Sequence, residues 1–171
     1  PLADIEAAAP ASGMGQVFWL LAVFLLGFSS ILGGLNFLVT IVCLRAPGMT
    51  WTRLPLITWA QTTTAVFQLL ATPVLAAATV LQLMDHVAMT SFFLPHDLVI
   101  GDKAMDYSGG GASLMWQHIF WFYSHPAVYI LVLPGMGIAS DLLATFSRKP
   151  IFGYKAMVVS MVGIMGLGFI V

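Results

Sequence analysis

Long apolar stretches separated by short polar ones dominate the chain, and a bilayer-spanning helix needs about 20 mostly apolar residues. Three stretches exceed that length, at about 17–44, 55–84 and 114–139, and a fourth begins near Tyr154 and runs truncated to 171. Stretches longer than the minimum imply tilt. No internal period of repeat-protein length occurs, and no low-complexity tract interrupts the pattern. The pattern predicts an all-α fold, a polytopic transmembrane helical bundle. It is a single transmembrane segment with no separate soluble domain.

Composition sharpens this reading. Of 171 residues, 60% are hydrophobic and 8% charged, against about 25% charged in an ordinary soluble domain. So few charges cannot cover a water-exposed surface. A net charge of -1 excludes a nucleic-acid partner, which would require many phosphates to be neutralised. The single cysteine, Cys43, cannot build a disulfide framework. The chain starts at Pro1 without Met and stops at Val171 inside an apolar run, as expected of an internal segment of a larger subunit.

The few charges sort by side. Arg45 and Arg53 fall in the first loop, and Arg148, Lys149 and Lys155 fall around the third, with Asp141 as its only acid. The second loop carries Asp85, Asp97, Asp102 and Asp106 against Lys103, and the N-terminal arm carries Asp4 and Glu6. Three complete crossings put loops one and three on the same side, which the positive-inside rule assigns to the cytoplasm. The second loop, from Asp85 to Ser113, is long enough to hold structure. Its Ser108-Gly109-Gly110-Gly111 run reads as a flexible turn rather than a phosphate cradle, because no Lys-Ser/Thr pair follows it.

Chemistry concentrates in the third span, Trp116-Gln117-His118-Ile119-Phe120-Trp121-Phe122-Tyr123-Ser124-His125-Pro126-Ala127-Val128-Tyr129. Polar groups here are costly in lipid and should face protein, a cofactor or water. His125 and Tyr129 are four residues apart and therefore neighbours on one helix face. His118 faces the same way, but about 10.5 Å away along the axis at 1.5 Å per residue. Metal–nitrogen bonds of about 2 Å cannot join both histidines to one ion. That spacing favours His118 as a hydrogen-bonded interior histidine. His125 alone is as consistent with a structural histidine as with a ligand; its Tyr partner and the adjacent Pro126, which loosens the turn ending at Phe122, favour a copper ligand.

The motif resembles the sixth transmembrane helix of subunit I of the heme-copper oxygen reductases. Ser29-Ser30-Ile31-Leu32-Gly33-Gly34-Leu35-Asn36-Phe37 is similar to that family's fourth helix, and Leu70-Ala71-Thr72-Pro73-Val74-Leu75-Ala76-Ala77 to its fifth. Lys149-Pro150-Ile151-Phe152-Gly153-Tyr154 resembles the approach to its seventh, so the chain would hold four of about twelve helices. The resemblance implies that His125 is one of three histidines holding copper beside a heme, in a subunit with two hemes. Tyr129 would be covalently joined to His125 and donate a proton and an electron. Trp121 would pack by the copper site and Val128 would line the O₂ route, with plain core packing as the alternative for each. Other oxidase subunits, membrane lipid and an electron donor, cytochrome c or quinol, are the implied partners. The bacterial cytoplasmic membrane is the implied location.

One departure is informative. The common motif has Gly before the histidine and Glu two residues after it, whereas Ser124 and Ala127 stand here. Tyr123-Ser124 resembles the bacterial branch in which a Tyr-Ser pair substitutes for that Glu. A phenol holds its proton more firmly than a carboxyl group, so Tyr123 would relay protons as a hydrogen-bonded hydroxyl. Packing or interfacial placement is the alternative. Ser29, Ser30 and Asn36 resemble positions on the family's main proton-uptake path, and Ser140 resembles the entrance of a second path leading to Tyr129. Serines in spans also bond backbone or neighbouring helices. Asp141 either feeds protons or marks the membrane edge. The rival functional class is a non-redox transporter or proton channel whose intramembrane His, Tyr and Ser line a permeation path.

Overall fold

The computed structural model describes residues 13–88, 90–93, 99–100, 103–104 and 111–170. Its elements in chain order are α1 (Gly13–Cys43), a single 3-10 turn (Trp51–Arg53), α2 (Leu56–Val87), β1 (Val99–Ile100), β2 (Lys103–Ala104), α3 (Ser113–Ser147) and α4 (Tyr154–Leu167). The fold is all-α and transmembrane in character: α1, α2 and α3 are long and apolar enough to cross a membrane. The fourth helix has 14 residues, short of a crossing at 1.5 Å per residue. The strands are two residues each, paired antiparallel with Val99 opposite Ala104.

The helices keep their course through three internal prolines, Pro73 in α2 and Pro126 and Pro134 in α3. A spanning helix tolerates such breaks because lipid offers its freed carbonyls nothing better than the helix itself and its neighbours. α3 also runs past the expected end near 139 to Ser147. Ser140 and Asp141 look like loop residues in the pattern, yet both are helical. The hydroxyls of Ser140 and Thr145 donate to the carbonyls of Met136 and Asp141, each at 2.8 Å, so the last turns keep their polar side chains satisfied locally.

The chain divides into two compact units. The first comprises Pro1–Ser29 and Pro73–Trp121. Its organising group is Asp85, a carboxylate only 3% exposed in the last turn of α2. A negative charge there opposes the helix dipole. Three donors offset that cost: Thr90 Oγ1 at 2.6 Å, the Phe92 amide at 2.8 Å and the Phe93 amide at 2.8 Å. The second loop is thereby tied to the helix end, and buried Phe93 meets Trp116 edge-on at 5.6 Å. Of the glycine run in this loop, 108–110 lie outside the described residues, as do Asp97, Asp102, Asp106, Asp4 and Glu6.

The second unit comprises Ser30–Thr72 and Phe122–Val171. Its core gathers Leu56, Ala60, Phe67, Leu133 and Met161. Gly137 brings α3 onto the start of α2 so closely that an added Cβ would lie 2.8 Å from Ala60 Cβ and 2.8 Å from Ile57 Cα. At the same place Asp141 Oδ2 accepts from the Ile57 amide at 3.0 Å. That amide belongs to the first turn of α2 and has no partner within its own helix. Asp141 is thus an N-terminal cap supplied from another helix, favourable to the α2 dipole as well.

The basic end of this unit is stitched by aromatic hydrogen bonds. The Tyr154 hydroxyl donates to the Leu54 carbonyl at 2.6 Å and accepts from Trp59 Nε1 at 3.0 Å. Trp59 Nε1 also reaches the Trp51 carbonyl at 3.1 Å, and Arg45 Cζ lies 4.3 Å from the centre of the Trp51 ring. These contacts bring the first loop to the start of α4, so the basic residues flanking both gather at one end. Gly153, at φ 68°, makes the left-handed turn into α4.

Two outcomes follow for the assembled protein in detergent. Gly137→Ala should lower the thermal denaturation midpoint, because overpacking against backbone costs about 1–3 kcal/mol and exceeds the helix-propensity gain of about 1 kcal/mol. A midpoint unchanged or raised, followed by circular dichroism, would contradict the close approach. Asp141→Ala should cost about 1 kcal/mol through loss of the cap, while Asp141→Asn, which keeps an acceptor oxygen, should recover most of it.

Candidate functional site

The site residues lie on the middle of α3, where Pro126 is buried and the helix nonetheless stays intact. His125 and Tyr129, four apart, bring their rings to 4.6 Å between centroids at an interplanar angle of 76°, an edge-to-face pair. Both side chains are half-buried. Tyr129 is held from its other side by Phe67 of α2, nearly parallel at 9° and 6.2 Å between centroids. Phe67 is in turn packed against Phe169 at 5.3 Å. Phe67, itself backed by Phe169, thus restrains the Tyr129 ring, against which the histidine packs edge to face.

His125 makes no hydrogen bond to protein among the described residues, which leaves its ring nitrogens available to an outside partner. Its donor chemistry fits one ligand position of a copper site. Among the described residues no group of three or more His, Cys, Asp or Glu side chains converges to hold a metal ion. The described residues around His125 thus form no complete metal site by themselves. His118 is exposed on this chain, and no protein hydrogen bond engages it among the described residues. Helical spacing alone located it on the face of His125 but could not tell which side of α3 this chain covers.

Tyr123 and Ala127 line one recess of about 210 Å³ in the second unit, together with Ser30 of α1, Gln68 and Thr72 of α2, and Ile130 and Leu131 of α3. The position that lacks a carboxylate and the phenol one turn before it thus open on the same space. Ser124 is half-buried and lies outside that lining. Ser29 and Asn36 are exposed on α1, so of the three candidate positions on that helix only Ser30 reaches the recess. Trp121 is 56% exposed and Val128 51% exposed, so neither belongs to the core of this chain. Trp121 meets Phe120 edge-on at 5.3 Å.

Ser140 lines a separate groove near the basic end with Lys149, Pro150, Phe152 and Met157. Its hydroxyl proton is engaged with the Met136 carbonyl, leaving the oxygen free to accept. Asp141, beside it, is occupied as the cap of α2. The polar residues that the sequence reading passed over are Gln68 and Thr72. Their signal was available: an amide and a hydroxyl in a spanning segment, four residues apart and so on one face.

Comparison with known proteins agrees with the motif. The family profile for cytochrome c and quinol oxidase polypeptide I matches residues 1–171. A cytochrome c oxidase subunit 1 from Cereibacter sphaeroides is 48% identical over 160 residues, covering 94% of this chain and 26% of that protein. A probable cytochrome c oxidase subunit 1-alpha from Streptomyces coelicolor is 46% identical over 167 residues, 98% of this chain and 26% of that protein. A cytochrome c oxidase subunit 1 from Thermostichus vulcanus is 43% identical over 171 residues, 100% of this chain and 28% of that protein. The chain spans about a quarter of the length of these curated relatives. Matched along its whole length, it belongs to the cytochrome c and quinol oxidase polypeptide I family.

Proposed function

We propose that this chain forms part of the catalytic subunit of a heme-copper terminal oxidase, which reduces O₂ to water with four electrons and four protons and pumps further protons across the bacterial cytoplasmic membrane. The observation that carries this reading is the edge-to-face His125–Tyr129 pair inside a membrane helix, with the histidine making no protein hydrogen bond among the described residues. A copper ion beside a heme would supply electrons to O₂. The residues of this chain prepare its surroundings. One imidazole nitrogen of His125 serves as a ligand, and its remaining ligands come from beyond the described residues. Tyr129 holds a proton at its hydroxyl within reach of the same place, and Phe67 restrains its ring. Trp121 and Val128, exposed on this chain, are free to line that centre and the route for O₂.

Protons would arrive from the basic, cytoplasmic end, where the first loop and the start of α4 meet. Ser30 of α1 would be the last step of one approach to Tyr123, with Ser124 beside it, and Ser29 and Asn36 on the same helix would belong to its earlier course. Ser140 begins a second approach, toward Tyr129. The shared recess of Tyr123 and Ala127 supports the substitution of phenol for carboxylate, since it gives the hydroxyl access to the space a Glu at 127 would occupy. Cytochrome c or quinol would act as electron donor, with other oxidase subunits as partners and membrane lipid around the exposed apolar faces.

Two measurements test the proposal. Close ring approach favours a bond between an imidazole nitrogen of His125 and a ring carbon of Tyr129. Its formation removes one N–H and one C–H hydrogen, with O₂ as the oxidant taking the two electrons and two protons. Peptide mass spectrometry of the intact enzyme should therefore find the 125 and 129 side chains joined and lighter by two hydrogens. Separate side chains in active, metal-replete enzyme would overturn the assignment. Tyr123→Phe should slow turnover and proton uptake by about tenfold or more while copper and heme contents stay unchanged, the scale of a lost positioned proton carrier. Normal uptake would remove Tyr123 from the path.

A further inference from the structure

The recess beside Tyr123 holds more polar groups than the Tyr-Ser motif accounts for. Gln68, Thr72 and Ser30 join the Tyr123 phenol around about 210 Å³, and all four belong to spanning helices. Thr72 is 2% exposed. Several hydroxyls elsewhere in these helices are satisfied by their own backbone: Thr62 by Thr58 at 2.7 Å, Thr63 by Trp59 at 2.5 Å, Thr79 by Ala76 at 2.8 Å, Ser140 by Met136 at 2.8 Å. Among the described residues, Ser30, Gln68, Thr72 and Tyr123 make no such bond. A lipid chain or an apolar side chain in the recess would leave an amide and three hydroxyls unsatisfied at several kcal/mol in total. Water would satisfy them, and the volume would admit several molecules at about 30 Å³ each.

Gln68 occupies a prepared place. A Cβ on Gly34 of α1 would lie 3.1 Å from Gln68 Oε1 and 3.2 Å from Gln68 Cβ, so the glycine makes room for this side chain. A carboxamide presents two donors and one acceptor oxygen. It can orient a water toward the phenol in either direction of proton flow without binding the proton itself.

We infer that the recess is a hydrated chamber in which the Gln68 carboxamide, seated against Gly34, positions the water that exchanges protons with Tyr123. Gln68 is a positioning residue, acting through that water, and the inference rests on the relay role proposed for Tyr123. Thr72 and Ser30 complete the hydration shell.

The test uses the intact oxidase, with Tyr123→Phe as the reference. Gln68→Leu should slow turnover about tenfold with KM for the electron donor unchanged, the scale of one lost charge-assisted hydrogen bond in a transition state. It should also remove infrared bands of weakly bonded water and shift the Tyr123 ring bands, which a merely structural role would not move. Gly34→Ala, which crowds Gln68 from outside the recess, should shift the same bands. Gln68→Glu should restore part of the turnover lost in Tyr123→Phe, by placing a carboxyl in the chamber. If Gln68→Leu fails to assemble, Gln68→Glu, of the same shape, decides through this rescue. Slow Tyr123→Phe with normal Gln68→Leu and no rescue would overturn the inference and leave the relay standing. Normal rates in both variants would overturn the relay itself.

Discussion

The close approach of α3 to α2 at Gly137 sets the register on which the second unit depends. In lipid, helices gain little by hiding apolar surface from an equally apolar medium, so close packing and polar fixation must hold them. Both occur here within one turn: Gly137 admits the Ile57 backbone and Ala60, and Asp141 caps the Ile57 amide. From that anchor, Leu133 falls into the core with Leu56, Ala60, Phe67 and Met161. One turn farther, Tyr129 reaches the face of Phe67, and the next brings His125 to the edge of Tyr129. A displaced register at 137 would move each of these in turn.

Polar side chains in the spans follow two regimes, and the contrast separates scaffold from site. Several hydroxyls return to a carbonyl of their own helix, which is the cheapest solution where water is scarce. Others do not: Thr64 Oγ1 is buried without a partner among the described residues, and around Tyr123 four polar groups share a recess with no bond to the backbone among those residues. The same logic marks His125, which is left without a protein partner in the segment where an unpaired group costs most.

At the basic end, the same economy operates with aromatic groups. Tyr154 and Trp59 satisfy loop carbonyls that lie where the helices end, and Arg45 covers the Trp51 face. These contacts gather the first loop and the start of α4 around one polar–apolar boundary. The other unit solves its loop with a single carboxylate, since Asp85 accepts from three donors in the second loop.

The sequence by itself determined the class of fold, the three long helices, and the pairing of His125 with Tyr129, because apolar length and the 3.6-residue period are local properties of the chain. It also located Tyr123 on the face of Ala127. It could not assign sides. Asp141 read as a proton donor or a membrane marker, and only the packing of α3 on α2 made it a helix cap. Gln68 and Thr72 did not read as site residues, yet both line the recess. Which face of a helix meets a neighbour depends on contacts 34 to 100 residues away along the chain, such as Gln68 with Gly34 or Tyr154 with Leu54. Periodicity says which residues share a face; tertiary structure alone decides what that face meets.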